Sequence, residues 1–321
     1  MNVLSFVVFA VLQILFLPLA ILGVVIVGYR QMVVSKRLGT SQTAIEILNG
    51  RWTMHVFGMR DDEVTARIAS VLPNTSTFGL WLCLFPLWVK HKISGRYFGY
   101  PRIVNEGDES IAELVTARTV YFDGAIARAL DHVDQFVLLG AGLDTRAYGV
   151  FKQENVTYFE LDQPAVQKVK RESLRVAQID ARHVTFVEVD FSQDSVFDEL
   201  GKTGYDPSKQ TLFLWEGVTL YLDEVAVRAT LQEIRKNAAA GSVIVADFYA
   251  KRFVEELGRG AKSKALDYTK EGLSFGLAFA TDYEKTVEAF LVSEEMKRKE
   301  TNFMGHNNAK GPFMVVAEFS V

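Results

Sequence analysis

The chain has 321 residues, 49% hydrophobic and 23% charged, the composition of a chain that folds, with room for one large domain and an appendage. Lys and Arg number 35 against 39 Asp and Glu, and the resulting net charge of -4 offers no general attraction to a polyanion, so nucleic acid is not an expected partner. The single cysteine, Cys83, excludes an internal disulfide and a cysteine metal site, and the five histidines include no pair at zinc-site spacing, so no metal is expected.

From Val3 to Gly28 there is no charged side chain. As a helix this stretch would reach about 39 Å at roughly 1.5 Å per residue, against a hydrocarbon core of about 30 Å, and it predicts a transmembrane anchor over residues 1–28. A secretory leader would begin with basic residues and carry a shorter apolar core, whereas Met1 to Ser5 has no basic side chain. Arg30, Lys36 and Arg37 follow directly, so the positive-inside bias predicts a single-pass membrane protein with everything after the span in the cytoplasm.

Residues 29–105 read as a cap or linker. Asn49-Gly50, Pro73-Asn74 and Tyr100-Pro101 are turn signals, and Asp61 to Ser70 suits a short helix. Within it, the apolar run at residues 78–89 is too short to cross. Its Trp81 and Trp88, followed by Lys90, His91 and Lys92, suit either a segment lying in or re-entering the headgroup region or a buried helix of a soluble cap.

Over residues 106–321 apolar runs alternate with helical periodicity. Phe136–Leu139, Thr157–Leu161, Val184–Val189, Thr211–Trp215 and Ser242–Ala246 read as strands, with helices over Pro164–Ala177 and Asp223–Ala240, the latter closed by Gly241. This alternation predicts an α/β fold, a doubly wound and mostly parallel sheet. Lys297–Phe303 and Phe313–Phe319 add a C-terminal antiparallel hairpin, the arrangement of Rossmann-like class I methyltransferases rather than of dehydrogenases.

An open sheet of this kind binds its ligand at the carboxyl ends of its strands. The first strand runs into Gly140-Ala141-Gly142, whose two glycines allow a sharp turn and close approach of backbone to a ligand, and Arg146 stands near where a dinucleotide fingerprint has its third glycine. Asp162, at the end of the second strand and 22 residues beyond Gly140, suits both ribose hydroxyls of an adenosine, or else caps the helix beginning at Pro164. Asp190 suits an adenine amino group, with Phe191 offering a backbone donor and an apolar face. Glu216, ending the fourth strand, suits a ligand ammonium or a turn. Arg118 falls on the apolar helical stripe of Ile111, Leu114, Val115, Phe122 and Ile126, and so needs an anionic partner, either a protein acid or the carboxylate of an amino-acid-like cofactor.

Ala117-Arg118-Thr119, the block Val137 to Tyr148, Glu160 to Val166 and Trp215-Glu216-Gly217-Val218 together resemble the leucine carboxyl methyltransferase superfamily, and within it the bacterial branch of S-adenosylmethionine-dependent methyltransferases. The resemblance runs from about residue 110 to the C-terminus, including Phe275-Gly276-Leu277. It implies S-adenosyl-L-methionine as cofactor, with Arg118 on its carboxylate, Gly140 against the methionine part, Asp162 on the ribose, Asp190 and Phe191 at the adenine, and Glu216 near the amino group. Residues 1–105 match neither the family's soluble cap nor its phosphatase-recognising parts, so methylation of a phosphatase tail is not implied.

The implied reaction is SN2 methyl transfer, in which the protein chiefly aligns donor and acceptor and excludes water. The expected acceptor is a small or lipid-like molecule methylated on a carboxyl or hydroxyl oxygen. A hydroxyl would need a general base. Tyr148, Tyr221, Tyr249 and Tyr268 are available, but each reads better as an aromatic core position. The competing readings are a nicotinamide-dependent oxidoreductase on a similar sheet and a membrane-tethered protein that binds the cofactor without turnover.

Overall fold

The computed structural model describes residues 3–259, 268, 272–279 and 282–321. Helix α1 (Val3–Tyr29) continues through a π turn at Arg30–Val34 into α2 (Ser35–Leu38), where Gly39 in the left-handed region ends it. Among the described residues, Val3–Leu38 is the one helix long and apolar enough to cross a membrane. Three further helices follow, α3 (Gln42–Val56), α4 (Glu63–Val71) and α5 (Thr77–Ser94). Side chains of Ser41, Asp62 and Ser76 accept hydrogen bonds from backbone amides at their respective N-termini, satisfying donors the helices leave open. Asn49-Gly50, expected to turn, instead lies inside α3, because Asn49 accepts a hydrogen bond from Thr75 and Gly50 packs on Val115. The apolar run at 78–89 becomes the middle of α5, which starts at its Ser76 cap and stops at left-handed Gly95.

The sheet domain opens with α6 (Leu114–Leu130) and β1 (Gln135–Leu139), then β2 (Thr157–Asp162), α7 (Pro164–Val176), β3 (Val184–Glu188), α8 (Val196–Leu200), β4 (Thr211–Trp215), α9 (Glu224–Asn237), β5 (Val243–Tyr249), α10 (Lys251–Leu257), α11 (Tyr283–Ser293), β6 (Lys297–Met304) and β7 (Met314–Ser320). The sheet order is β3-β2-β1-β4-β5-β7-β6, parallel except for β7, which runs antiparallel to both neighbours. This is the doubly wound, mostly parallel sheet with a C-terminal antiparallel hairpin expected of a class I methyltransferase. Helix α9 ends three residues earlier than expected, at Asn237, and Gly241 (φ 87°) turns the chain into β5 rather than capping the helix.

Alternating side chains of each strand feed two cores. Phe136 and Leu138 join one core with Leu212 and Leu214, and Ile45, Leu48, Trp52 and Ile68 from α3 and α4, with Leu72 just after α4, complete it. Val137 and Leu139 face the other, with Phe213, Trp215, Val227, Leu231 and Phe290. The strands are therefore apolar on both faces, as burial between two helical layers requires. Residues 42–71 are part of this packing, so the cap is continuous with the sheet domain. The outer strand β6 carries Lys297, Arg298, Lys299 and Glu300 at its exposed end, a charged edge that resists further strand pairing.

Candidate cofactor site

β1 lies between β2 and β4, so the chain leaves the sheet in opposite directions on either side of it and opens a crevice at their carboxyl ends. Gly140 (φ 69°) makes the turn after β1, and a Cβ there would stand 2.4 Å from Val218 Cγ2. Only glycine satisfies both conditions. The Gly142 amide donates to Asp162 Oδ2 at 2.6 Å and the Gln163 amide to Oδ1 at 2.7 Å, tying the ends of β1 and β2 together. Burial raises the Asp162 pKa above the ordinary aspartate value, against the pull of those two amides.

At the end of β3, Asp190 accepts hydrogen bonds from the Ser192 amide at 3.0 Å and hydroxyl at 2.7 Å, and from Gln193 Nε2 at 3.0 Å. The Ser192 and Gln193 donors lower its pKa. Phe191 is half-buried against the second core.

The end of β4 is densely charged. Arg51 Nη2 donates to both oxygens of Glu216 at 2.8 Å, Arg146 Nη1 donates to Oε2 at 2.6 Å, and Arg118 Nε stands 3.2 Å from Oε1. Asp144 accepts from Arg51 at 3.0 Å and from Arg146 at 2.5 Å. Arg118 Nη1 also reaches Tyr249 Oη at 2.6 Å and Asp247 Oδ2 at 3.3 Å, and Asp247 takes the Gly217 amide at 2.9 Å. Beyond Arg146 the network continues through Asp123 to Arg60 and Asp62. Burial opposes ionisation of Glu216, but Arg146, Arg51 and Arg118 hold its pKa down at about 2. Burial lifts Asp247 to about 6, against the pull of Arg118. Burial likewise disfavours a charged Arg118, yet Tyr249, Glu216 and Asp247 raise its pKa above the ordinary arginine value.

Of the residues singled out from sequence, the structure brings Arg118 to Glu216 and Gly142 to Asp162, while Asp190 and Phe191 stand apart at the β3 end. Arg118 has protein acids as partners. Arg51, Asp144, Arg146 and Asp247 were not anticipated. Asp247 carried a signal, being a lone carboxylate in the otherwise apolar strand Val243–Tyr249, and such a group demands a buried partner. Asp144 and Arg146 lie in the glycine block itself. Nothing local marks Arg51, which is brought in by α3.

The tyrosines divide. Tyr148 and Tyr249 are buried and their hydroxyl pKa values are driven up by burial, which makes them poor bases. Tyr221 Oη is 2.8 Å from Thr43 Oγ1. Tyr268, expected in the core, is 39% exposed and lies beneath Lys36.

The leucine carboxyl methyltransferase family model matches residues 91–235, a stretch holding Arg118, Gly140, Gly142, Asp162, Asp190, Phe191 and Glu216. The chain is similar to bacterial proteins provisionally named S-adenosyl-L-methionine-dependent methyltransferases. One from Mycobacteroides abscessus is 38% identical over 130 residues, 40% of this chain and 43% of the relative. Another from Streptomyces avermitilis is 35% identical over 150 residues, 46% of this chain and 52% of the relative. The chain thus spans about half the length of the curated relatives it matches. A solved duf574 family protein from Streptomyces avermitilis aligns with a TM-score of 0.47 at 14% identity, over 64% of this chain and 83% of that one. Arg51 and α1 lie outside the family match.

Proposed function

We propose that this chain is a membrane-anchored S-adenosyl-L-methionine-dependent methyltransferase that methylates a carboxyl or hydroxyl oxygen of a small or lipophilic acceptor. Residues 1–28 are its anchor, 29–105 its cap and 106–321 its methyltransferase domain. The observation that carries this reading is the crevice at the ends of β1, β2 and β4, inside the stretch matching the family.

Two features of the crevice favour this cofactor. Gly140, at φ 69° and packed on Val218, holds the turn after β1 tight at the mouth of the crevice, where a ligand would meet backbone. Arg51, Arg118 and Arg146 are balanced by Asp144, Glu216 and Asp247, so the site can take a zwitterionic amino acid without a net change in buried charge. Arg51 Nε and Arg146 Nη2 are buried without a hydrogen-bond acceptor and leave donor capacity for one more carboxylate.

In this reading Arg118 holds the cofactor carboxylate, Glu216 the ammonium, Gly140 and Gly142 the methionine portion, Asp162 the ribose hydroxyls, and Asp190 with Phe191 the adenine. The cofactor, when bound, supplies an electrophilic methyl on a sulfonium. The chain's own residues would fix its two ends, and the cap would keep water out. A carboxylate acceptor is already ionised and needs no base, which agrees with the raised pKa values of Tyr148 and Tyr249.

The end of the long first helix reaches the crevice, since Thr43, just after it, bonds Tyr221 following β4. An acceptor dissolved in the membrane therefore has a short route to the methyl donor. The basic residues after Gly28, and the cytosolic supply of the cofactor, favour the cytoplasmic face. The test is to incubate the purified chain with methyl-labelled S-adenosylmethionine and fractionated membrane lipids, then identify the labelled product. A base-labile methyl ester or a methyl ether supports the reading. Cofactor binding without transfer to any fraction, soluble extract included, would make the chain a binding protein instead.

A further inference from the structure

A single crossing by α1, expected from its flanking charges, conflicts with how α1 is packed. α5 runs antiparallel along it: Gly23 meets Gly79, Cys83 Sγ lies 3.5 Å from Ala20 O, Phe16 stacks on Phe85 at 5.0 Å, and past the end of α5 Phe98 meets Phe9 at 5.5 Å. A Cβ on Gly23 would stand 2.6 Å from Gly79 O, so the two backbones touch there. The opposite side of α5 lies on the cap. Trp81 packs edge-on against Trp52 at 5.7 Å, His91 lies 5.7 Å from Phe57, and Leu80 and Leu84 join the main core. Arg51 of the same α3 is fixed to Glu216 and Asp144. The cap therefore flanks α1 beyond α5, and a bilayer whose normal followed α1 would have to enclose exposed Asp61, between α3 and α4, and Glu63, at the start of α4.

We infer that α1 and α5 lie lengthwise in one leaflet of an anionic phospholipid bilayer, a monotopic attachment that sets the whole cap and crevice against a single membrane face. The inference rests on the membrane attachment proposed above and is independent of the chemistry proposed for the crevice. The face of α1 turned away from α5 is apolar from end to end, with Val7 52%, Ile14 74% and Val25 61% exposed. Beside it runs an open apolar groove of about 390 Å3, lined by Phe16, Phe78, Trp81, Leu82, Phe85 and Trp88, suited to an acyl chain. Exposed basic residues stand at both ends of the pair, Arg30, Lys36 and Arg37 at one and Lys92 and Arg96 at the other. No Asp or Glu occurs in residues 3–45 or 64–105. A crossing helix meets the anionic cytoplasmic headgroups at one end, whereas a helix in the plane meets them at both.

The test uses the full chain, purified in detergent and mixed with phosphatidylcholine vesicles with or without phosphatidylglycerol. In a Cys83→Ser background, single spin labels at Val7→Cys, Ile14→Cys and Val25→Cys report depth through their accessibility to oxygen and to a water-soluble nickel complex. The inference predicts equal depth at all three sites and vesicle binding on the order of tenfold stronger with phosphatidylglycerol. A label at 14 deeper than those at 7 and 25 would mean that α1 crosses, overturning the inference while leaving membrane attachment intact. Absence of vesicle binding, or coupling between labels of two copies that excludes lipid, would overturn both.

Discussion

At the β4 end of the crevice Glu216 is held by Arg51, Arg118 and Arg146, which come from three distant stretches, whereas at the β3 end Asp190 is held by Ser192 and Gln193, its own close neighbours. The first arrangement is buried and fixes its charges before any ligand arrives. The second is half-open and local. Buried charges are stable only when every partner is in place, so the β4 end couples ligand binding to the integrity of the whole fold, while the β3 end can change with little cost elsewhere. Asp162 stands between the two, bound to a neighbour in sequence and to a glycine in the turn after the adjacent strand.

The largest expected effect follows from breaking the buried end. Glu216→Gln leaves three guanidiniums facing two carboxylates and should lower stability by about 3–5 kcal/mol, read from urea unfolding at neutral pH. The pH dependence has a definite sign. The Glu216 pKa is depressed from 4.5 to about 2, so its ionised form stabilises the fold fully above the ordinary glutamate range, and this contribution fades as pH falls from about 4.5 towards 2. The stability difference between wild type and Glu216→Gln should therefore shrink across that interval. A difference independent of pH would contradict the ion network.

Asp162→Ala comes next. Each hydrogen bond from a ribose hydroxyl to the charged carboxylate is worth roughly 1.5–3 kcal/mol, so S-adenosylmethionine affinity should fall at least tenfold in calorimetry on the folded variant. Arg118→Met should weaken S-adenosylmethionine about tenfold more than adenosine, which lacks the carboxylate. Equal losses for both ligands would assign Arg118 to holding Glu216 and Asp247 alone. The smallest effect is expected at the open end, where Asp190→Ala should cost about 1 kcal/mol of affinity, roughly fivefold, with unfolding unchanged. A large loss of stability there would erase the contrast between the two ends.

The same contrast explains what the sequence made legible. The glycine turn, Asp162 and the strands around them are visible because a strand ending in a turn is written in consecutive residues, and apolar runs such as Thr211–Trp215 follow from burial on both faces. Arg118 announced itself as a charge on an apolar stripe, but its partner was undetermined until Asp247 and Glu216 stood beside it. Arg51 was hidden, since its helix reaches the crevice only through the packing of Ile45, Leu48 and Trp52 on the sheet. The charge pattern of α1 counts only residues near in sequence, whereas the basic residues beside its other end, Lys92 and Arg96, belong to the α5 region and come near it only through packing.

The central claim is that the crevice holds S-adenosylmethionine. Titration calorimetry on the intact chain, with S-adenosylmethionine, S-adenosylhomocysteine and NAD as separate ligands, tests it most directly. The account predicts one equivalent of either sulfur compound bound, at least tenfold weaker binding in Asp162→Ala, and no heat from NAD. Saturable binding of NAD with none of S-adenosylmethionine would contradict it and make the sheet that of an oxidoreductase.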